Sequence, residues 1–591
     1  MEKWFIKNKK ADFSLIAKQF GISEVLSRLI INRGIKNNEE LEAYLNPDYS
    51  KMHNPLLLKD VNLSADILIK KIQNGSKIRI VGDYDVDGVI STYLLKTALD
   101  RCDANVDYEI PDRVKDGYGI NKSIIEKAHN DQVDTIITCD NGIAAIDQIE
   151  YAKSLGITVI ITDHHDIPFS MEADKKVYHV PDADAVINPK QMDCEYPFKC
   201  ICGAAVAYKL IEVLYDKMYI PSGEARNLLE FVAIATVCDV MDLVDENRVI
   251  VKIGLEKMKK SENLGLKALI RENQLEEHQI NTYHLGFIIG PCINASGRLE
   301  SAKLGLRMLL SSSKEEAAAY ARQLKKLNDE RKEMTNQGVL NAINIIEESN
   351  MKEDKIFVVY LEDCHESIAG IIAGRIKEKY NKPTIILTKG EEGAKGSARS
   401  IEEYNMFEEL NRCKSLLTKF GGHPMAAGLS MDEENIDLLR RQLNHNTTLT
   451  EDDLARKISF DMVLPFYEVN IPLIEEFNKL EPFGKGNGKP LFALKDIKII
   501  KGIKLGQNKN VIKLSVYHKE NPGRQYTAML FSDTAAFEEN IIFIYGQEQL
   551  DKLYEGHNNN ISMDMIYYPD INEYNGYQNI QFVIQNYRFL Q

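Results

Sequence analysis

The chain has 591 residues, 44% of them hydrophobic and 27% charged, with a formal net charge of −15 at pH 7. That length exceeds one ordinary core and predicts several domains, and the balance of residue types is that of a soluble globular protein. The acidity argues against a surface coated in nucleic acid but leaves room for a local basic groove.

No apolar run approaches membrane-spanning length, and the opening "MEKWFIKNKKADFSL" lacks the apolar centre of a signal peptide. Nine cysteines are scattered, and the tight pair Cys200 and Cys202 has no second pair at zinc-ribbon spacing. The expectation is a reducing, cytoplasmic compartment with no membrane partner.

In chain order, residues 1–75 read as a helical segment, with Leu and Ile at helical spacing in "SEVLSRLIINRGI" and "SADILIKKIQNG". Over 76–312 short β runs ("KIRIVG", "VDTIITCD", "GITVIITD", "DAVINP") alternate with helical stretches such as "GVISTYLLKTALD". That alternation predicts an α/β domain with a parallel sheet covered on both faces, whose ligands gather at the carboxyl ends of the strands. Residues 313–352 read as a long connector helix, charged on most faces. A second α/β pattern covers 353–452 and contains a glycine-rich loop at 421–428. Residues 453–591 are β-rich; "VIKLSVY", "YTAMLF", "NIIFIYG", "ISMDMIYY" and "NIQFVIQNYRFL" read as strands of a small barrel.

The stretch "GDYDVDG" sets Asp83, Asp85 and Asp87 at alternate positions after an apolar run. A solvated turn is the bland account, since Asp and Gly are common turn formers. Three further clusters follow apolar runs in the same way: Asp140 in "TIITCDNG", Asp163-His164-His165 in "VIITDHHD", and Asp239 in "IATVCDVMDL". Each is expected just past a strand. One such residue alone is most often structural, but four clusters at one sheet edge would repel one another unless cations neutralised them. Mixed carboxylate and imidazole donors suit Mn²⁺ and accept Mg²⁺ or Zn²⁺, and paired ions serve phosphoester hydrolysis.

The ordered set "GDYDVDG", "YEIPDRVKDGYGIN", "CDNG", "DHH", "CGAAVAYKL", "GPCINASGRL", "GSARS" and "FGGHPMAAG" resembles the DHH phosphoesterases. Within them it is similar to the exonucleases specific for single-stranded DNA, over nearly the whole chain. The resemblance implies a DHH-type parallel-sheet domain joined by the long helix to a DHH-associated α/β domain, followed by an oligonucleotide-binding (OB) fold. It implies 5′→3′ hydrolysis of single-stranded DNA to mononucleotides, in DNA repair and recombination, with two Mn²⁺ or Mg²⁺ ions. One ion would take Asp83 and Asp85 and the other Asp87, His164 and Asp239, with Asp140 bridging both. His165 would stand near the scissile phosphate. Ser397, Arg399, Gly421, Gly422 and His423 would hold phosphate from the DHH-associated domain, joined by Asn294, Arg298 and Arg113. A helicase and a single-strand-binding protein are the implied partners.

Three positions depart from the family pattern: Cys292 stands where an Arg is usual, Ser367 replaces a glycine, and Gly488 replaces a proline. In the terminal region Lys485, Lys495, Lys498, Lys501, Lys504, Lys509, Lys513 and Arg524 offer charge, and Phe492, Tyr517, Tyr526 and Phe531 offer stacking surfaces or barrel core. "GKGNGK" lacks the spacing of a nucleotide-binding P-loop. Two other readings fit the same motifs: a DHH phosphodiesterase acting on short oligonucleotides or cyclic dinucleotides, and a DNA-binding relative without catalysis. The extra β domain favours a polymer substrate, and the intact acidic motifs favour catalysis.

Overall fold

In the computed structural model, strand Lys77–Val81 (β1) runs straight into the Asp83–Asp87 turn and helix Val86–Arg101 (α1). The structure describes every residue except 1, 114, 173–174, 507, 532, 575 and 591. Strands Asn105–Glu109 (β2), Thr135–Cys139 (β3), Thr158–Thr162 (β4) and Ala185–Ile187 (β5) complete a parallel sheet ordered β2-β1-β3-β4-β5. Strands covered on both faces carry near-continuous apolar runs, and "TIITC" is buried at every position. Ile80, Ile137 and Ile160 face one core; Val81, Ile136 and Ile161 face a second on the other side. Strand order reverses between β1 and β3. That switch point leaves a crevice at the carboxyl ends of both strands, where the first Asp turn and Asp140 lie.

The first core also takes helices Gly203–Lys217 (α2) and Leu229–Cys238 (α3). Here the structure corrects the sequence expectation that Asp239 follows a strand: Asp239 caps the carboxyl end of α3. "LEFVAIATVC" is apolar all round because it is buried all round, and a short apolar run of that kind carries no period to tell helix from strand. Helix Gly290–Leu299 (α4) precedes the long helix Lys314–Glu348 (α5), whose first turn is capped by Ser313 accepting from Glu316 N–H.

The next sheet is built of Phe357–Tyr360 (β6), Thr384–Lys389 (β7), Ala394–Arg399 (β8), Lys419–His423 (β9) and Ala426–Met431 (β10), in the order β9-β10-β8-β7-β6, with helix Glu366–Tyr380 (α6) between β6 and β7. The glycine-rich stretch expected as a loop is the edge hairpin β9–β10, with Gly421 paired to Gly428.

The chain forms two compact units, residues 47–455 and residues 1–46 with 456–591. The helical segment read as 1–75 is thus divided. Val61, Ala65 and Leu68 pack on the core beneath β1, whereas Leu26, Leu29, Ile30 and Leu41 share a core with Phe466, Phe492 and Phe582 of the terminal domain. Lys3–Ile6 also pairs in parallel with Lys457–Phe460, and Arg33 Nε donates to Asn487 Oδ1 at 2.7 Å.

The terminal domain is a barrel of Met462–Val463 (β11), Phe492–Leu505 (β12), Val511–His518 (β13), Tyr526–Leu530 (β14), Ser562–Tyr574 (β15) and Tyr577–Phe589 (β16). The order is β11-β12-β13-β14-β16-β15, closed by β12 pairing β15. "NIIFIYG", expected as a strand, instead ends helix Thr534–Tyr545 (α7), which Asp533 caps through Ala536 N–H and which buries Phe537 and Ile541 four residues apart. Phe492 is buried in the barrel core and offers no stacking surface.

Candidate metal centre and phosphate cleft

Three chain reversals and one helix end bring the acidic clusters together. Asp85 caps α1, its Oδ1 accepting from Gly88 N–H at 3.1 Å. The turn is tight: a Cβ on Gly88 would lie 2.5 Å from the carbonyl oxygen of Asp83. Asp87 accepts from Gly203 N–H (2.6 Å) and Ala204 N–H (2.8 Å), so the amino end of α2 holds this carboxylate. Asp140 follows β3 in the left-handed region (φ 61°), and a Cβ on Gly203 would stand 2.7 Å from its Cβ. The "CGAAVAYKL" glycine is therefore a requirement of close approach.

His164 Nε2 lies 3.1 Å from Asp140 Oδ1 and 3.6 Å from both Asp87 Oδ2 and Asp239 Oδ2. Potential ligand atoms form three groups, each within 4.8 Å: Asp83, Asp85 and Asp140; Asp87, His164 and Asp239; and Asp140, His164 and His165. Among them Asp83 Oδ1, Asp140 Oδ1, His164 Nε2 and Asp239 Oδ2 are buried without a hydrogen-bond partner. Buried polar atoms are ordinarily satisfied, so four orphans shared between adjoining groups of ligand atoms fit divalent cations.

The electrostatics agree. Burial first, and then the charges of the neighbouring aspartates, raise the pKa values of Asp83, Asp87, Asp140 and Asp239. His164 is pushed the other way, towards neutral imidazole, by burial and by the charge of His165. At His165 burial opposes protonation, but the hydrogen bond and charge of Asp163 outweigh it. Asp163 Oδ1 lies 2.8 Å from His165 Nδ1, and its Oδ2 accepts from Ile143 N–H at 2.9 Å.

A cleft of about 690 Å³ is lined by Arg113, Arg298, Ser397, Arg399, Lys419 and Gly421. Arg113 stacks its guanidinium 4.0 Å from the centre of the Tyr84 ring. Arg298 Nη1 donates to the Ser367 carbonyl at 2.5 Å, and Arg399 Nη1 to the Ala398 carbonyl at 2.8 Å. Burial lowers the pKa of both arginines, and for Arg298 the charges of Arg113, Arg331 and Arg399 add to it. Among the described residues these guanidiniums have no carboxylate partner, and guanidiniums crowded in that way make a site for an anion.

Asn294 is placed differently: its Oδ1 accepts from Val86 N–H at 3.1 Å, holding the Asp turn. Gly422 and His423 are exposed at the end of β9, and the charge of His423 reaches Asp166, just past the histidine pair.

Sequence reasoning missed two contributors. Tyr118 Oη donates to the Asp140 carbonyl at 2.9 Å and lies 3.1 Å from His165 Nδ1. Its signal was a tyrosine between two glycines in "KDGYGIN". Arg331 of α5 donates to Asn328 Oδ1 at 2.8 Å, and Asn328 Nδ2 lies 3.4 Å from the buried Cys292 Sγ. Cys292 thus braces a helix that brings an arginine near Arg298; only the fold joins them.

Three family descriptions match successive parts of the chain: DHH family, N-terminal domain, over residues 77–236; DHHA1 domain over 353–447; and RecJ OB domain over 460–586. The single-stranded-DNA-specific exonuclease RecJ of Haemophilus influenzae is 34% identical over 515 residues, covering 84% of this chain and 87% of that protein. The chain belongs to the RecJ family. Escherichia coli RecJ is 32% identical over 79% of this chain and 82% of its own length. Bacillus subtilis RecJ is 34% identical over 88% of this chain, which spans 65% of that longer relative. Among solved structures, RecJ of Thermus thermophilus in complex with Mn²⁺ matches with a TM-score of 0.80 at 23% identity, covering 100% of this chain and 80% of that one. A manganese-bound exonuclease RecJ matches at 28% identity and a TM-score of 0.58, over 67% of this chain and 96% of that one.

Proposed function

We propose that this RecJ-family chain is a metal-dependent exonuclease of single-stranded DNA that releases mononucleotides from the 5′ end. The observation that carries this is two groups of ligand atoms, four of them buried and unsatisfied, beside a cleft of arginines that have no carboxylate partner among the described residues. Asp83 and Asp85 would hold one ion, Asp87, His164 and Asp239 a second, and Asp140 both. Mn²⁺ or Mg²⁺ bound there supplies Lewis acidity and makes a water more acidic.

The chain's own groups do the rest. Arg399, Ser397, Gly421, Gly422 and His423 bind the 5′ phosphate, and Arg298 and Arg113 neutralise the next one. Asn294 holds the Asp turn in shape. His165, kept cationic by Asp163 and oriented by Tyr118, stabilises negative charge developing at the scissile phosphate. In the barrel, Lys513, Arg524 and Tyr526 line a groove of about 800 Å³ that suits a polyanion with stacking bases, while Lys504 is engaged by Glu538.

Among the described residues no helix is long and apolar enough to cross a membrane. The nine cysteines are free, which fits a reducing cytoplasm. A role in DNA repair and recombination, with a helicase and a single-strand-binding protein supplying single strands, completes the reading.

The test is a strand labelled at one end or the other, with Mn²⁺. A 5′ label should appear at once as mononucleotide, and a 3′ label only as the strand is consumed. Early release of a 3′ label, or indifference to duplex, would refute it.

A further inference from the structure

Helix Asp245–Met258 packs so closely on α3 that a Cβ on Gly254 would lie 2.6 Å from the Leu229 carbonyl oxygen. Beside this contact lies a pocket of about 830 Å³ whose lining the nuclease chemistry does not use. Leu228, Phe231 and Ile253 make an apolar wall, with the ring centroid of Phe231 4.6 Å from that of Tyr93 on α1. The floor is polar. Glu230 is only 6% exposed; its Oε1 accepts from Ser261 Oγ at 2.9 Å, and its Oε2 has no hydrogen-bond partner among the described residues. Native interiors rarely leave a carboxylate oxygen unsatisfied, and a pocket beside one suits a ligand that brings a donor. At the rim stand Lys252, Lys257 and Lys260. Lys257 Nζ donates to Asn227 Oδ1 at 3.1 Å, and Lys252 and Lys260 have no carboxylate partner among the described residues. Of the two rim carboxylates, Glu256 is engaged by Lys259 at 2.7 Å and Glu262 remains.

A pocket of this size, apolar on one side with a few fixed polar groups, has the ordinary form of a small-molecule site. Its ligand must bring donors to the floor, a flat apolar body to the wall and negative charge to the rim. A nucleoside monophosphate does all three: an amino group on the base donates to a carboxylate, and the phosphate meets lysines. The nuclease reading above, on which this choice of ligand rests, makes that class the product of the enzyme. We propose that the pocket is a second nucleotide site, taking a free nucleoside monophosphate with its base on Glu230 and its phosphate on Lys252 and Lys260. Burial raises the Glu230 pKa to about 7, helped by Glu262 and opposed by Ser261, Lys257 and Lys267. A donor from the base favours the ionised carboxylate, so binding at pH 7 should release protons.

The test is titration calorimetry on the full-length chain without metal, in an Arg399→Ala background that removes the phosphate hold of the nuclease cleft. The probes are dGMP, dTMP and orthophosphate, each in buffers of different ionisation enthalpy at pH 7. One dGMP should bind per chain and release protons. Thymine carries no amino group and flanks its one N–H with carbonyl oxygens, so dTMP should bind at least about tenfold more weakly, as for loss of one hydrogen bond to a charged group. Orthophosphate should bind more weakly still and release no protons. Glu230→Gln should abolish proton release and bring dGMP and dTMP to within about twofold of each other. Lys252→Glu combined with Lys260→Glu should weaken both nucleotides at least about tenfold.

Absence of dGMP binding in the Arg399→Ala background would overturn the site. Equal affinity for dGMP and orthophosphate would overturn it too, as for phosphate held by surface lysines alone. So would dGMP binding that survives both Glu230→Gln and the lysine changes, which would place the nucleotide elsewhere. Should the chain cleave no DNA, the nuclease reading fails, and this titration, which involves no cleavage, still decides the site.

Discussion

Asp140 belongs to two of the three groups of ligand atoms, and its backbone adopts a conformation that few non-glycine residues take. Strain tolerated at a buried carboxylate fits a position set by function rather than by packing. In metal-free protein its charge is opposed by burial and by Asp87, Asp85, Asp83 and Asp239. Asp140→Ala is therefore predicted to raise Tm without metal and to abolish the Tm gain that Mn²⁺ gives wild type. The stabilisation behind that gain should be about 2.7 kcal/mol at a free Mn²⁺ concentration a hundred times Kd. Differential scanning calorimetry with and without Mn²⁺ checks both signs.

Glu230 gives a pH prediction away from the metal centre. Burial raises its pKa from 4.5 to about 7, offset in part by a hydrogen bond from Ser261, and its Oε2 is unsatisfied. A carboxyl with a raised folded pKa contributes stability that is complete below about 4.5 and is lost as pH rises through about 7. Glu230→Gln should therefore stabilise the protein by up to about 3 kcal/mol at pH 8 and by little at pH 4. An equal gain at both values would contradict this origin.

The elements show what patterning reveals and where it stops. Alternating β and helical runs over 76–312 disclose a parallel sheet, and the sheet rule alone puts "GDYDVDG", "TCDNG" and "TDHH" at one edge. Asp239 reaches the same place from a helix, because α3 is buried all round and its sequence has no polar face to announce the turn. "NIIFIYG" misleads for a related reason: its β-branched and aromatic run suggests a strand, but Asp533 starts a helix upstream whose Phe537 and Ile541 cap the barrel core. Contacts made only by folding, such as Asn328 between Cys292 and Arg331, leave no local trace.

The amino end of α1 is sensitive to one added carbon. A Cβ on Gly88 would meet three backbone atoms of Asp83, the nearest at 2.5 Å, and backbone cannot swing aside as a side chain can. Gly88→Ala should therefore displace the Asp turn, costing at least tenfold in Mn²⁺ affinity by titration calorimetry. Unchanged affinity would mean that the turn is not held by this close approach.

At the scale of the whole chain, the unit boundary decides which fragments fold. Residues 1–46 complete the core of the barrel, not that of the sheet domain. A fragment of residues 47–455 should be soluble and cleave short oligonucleotides. It should bind long strands weakly, with a slope of log affinity against log salt shallower by roughly 0.7 for each phosphate that the barrel no longer neutralises. A fragment of residues 1–455 leaves Leu26, Leu29, Ile30 and Leu41 without their partners and should aggregate. An unchanged salt slope in the shorter fragment would remove the barrel from the DNA-binding surface.

The central claim is that one carboxylate–histidine cluster hydrolyses a single strand, and a single-turnover assay of 5′-labelled DNA addresses it directly. With excess enzyme and Mn²⁺, wild type should release labelled mononucleotide. Chelation should stop release reversibly, and Asp140→Ala should slow it by at least about a thousandfold while circular dichroism stays native. Folded Asp140→Ala protein releasing mononucleotide at a rate near that of wild type would contradict the account.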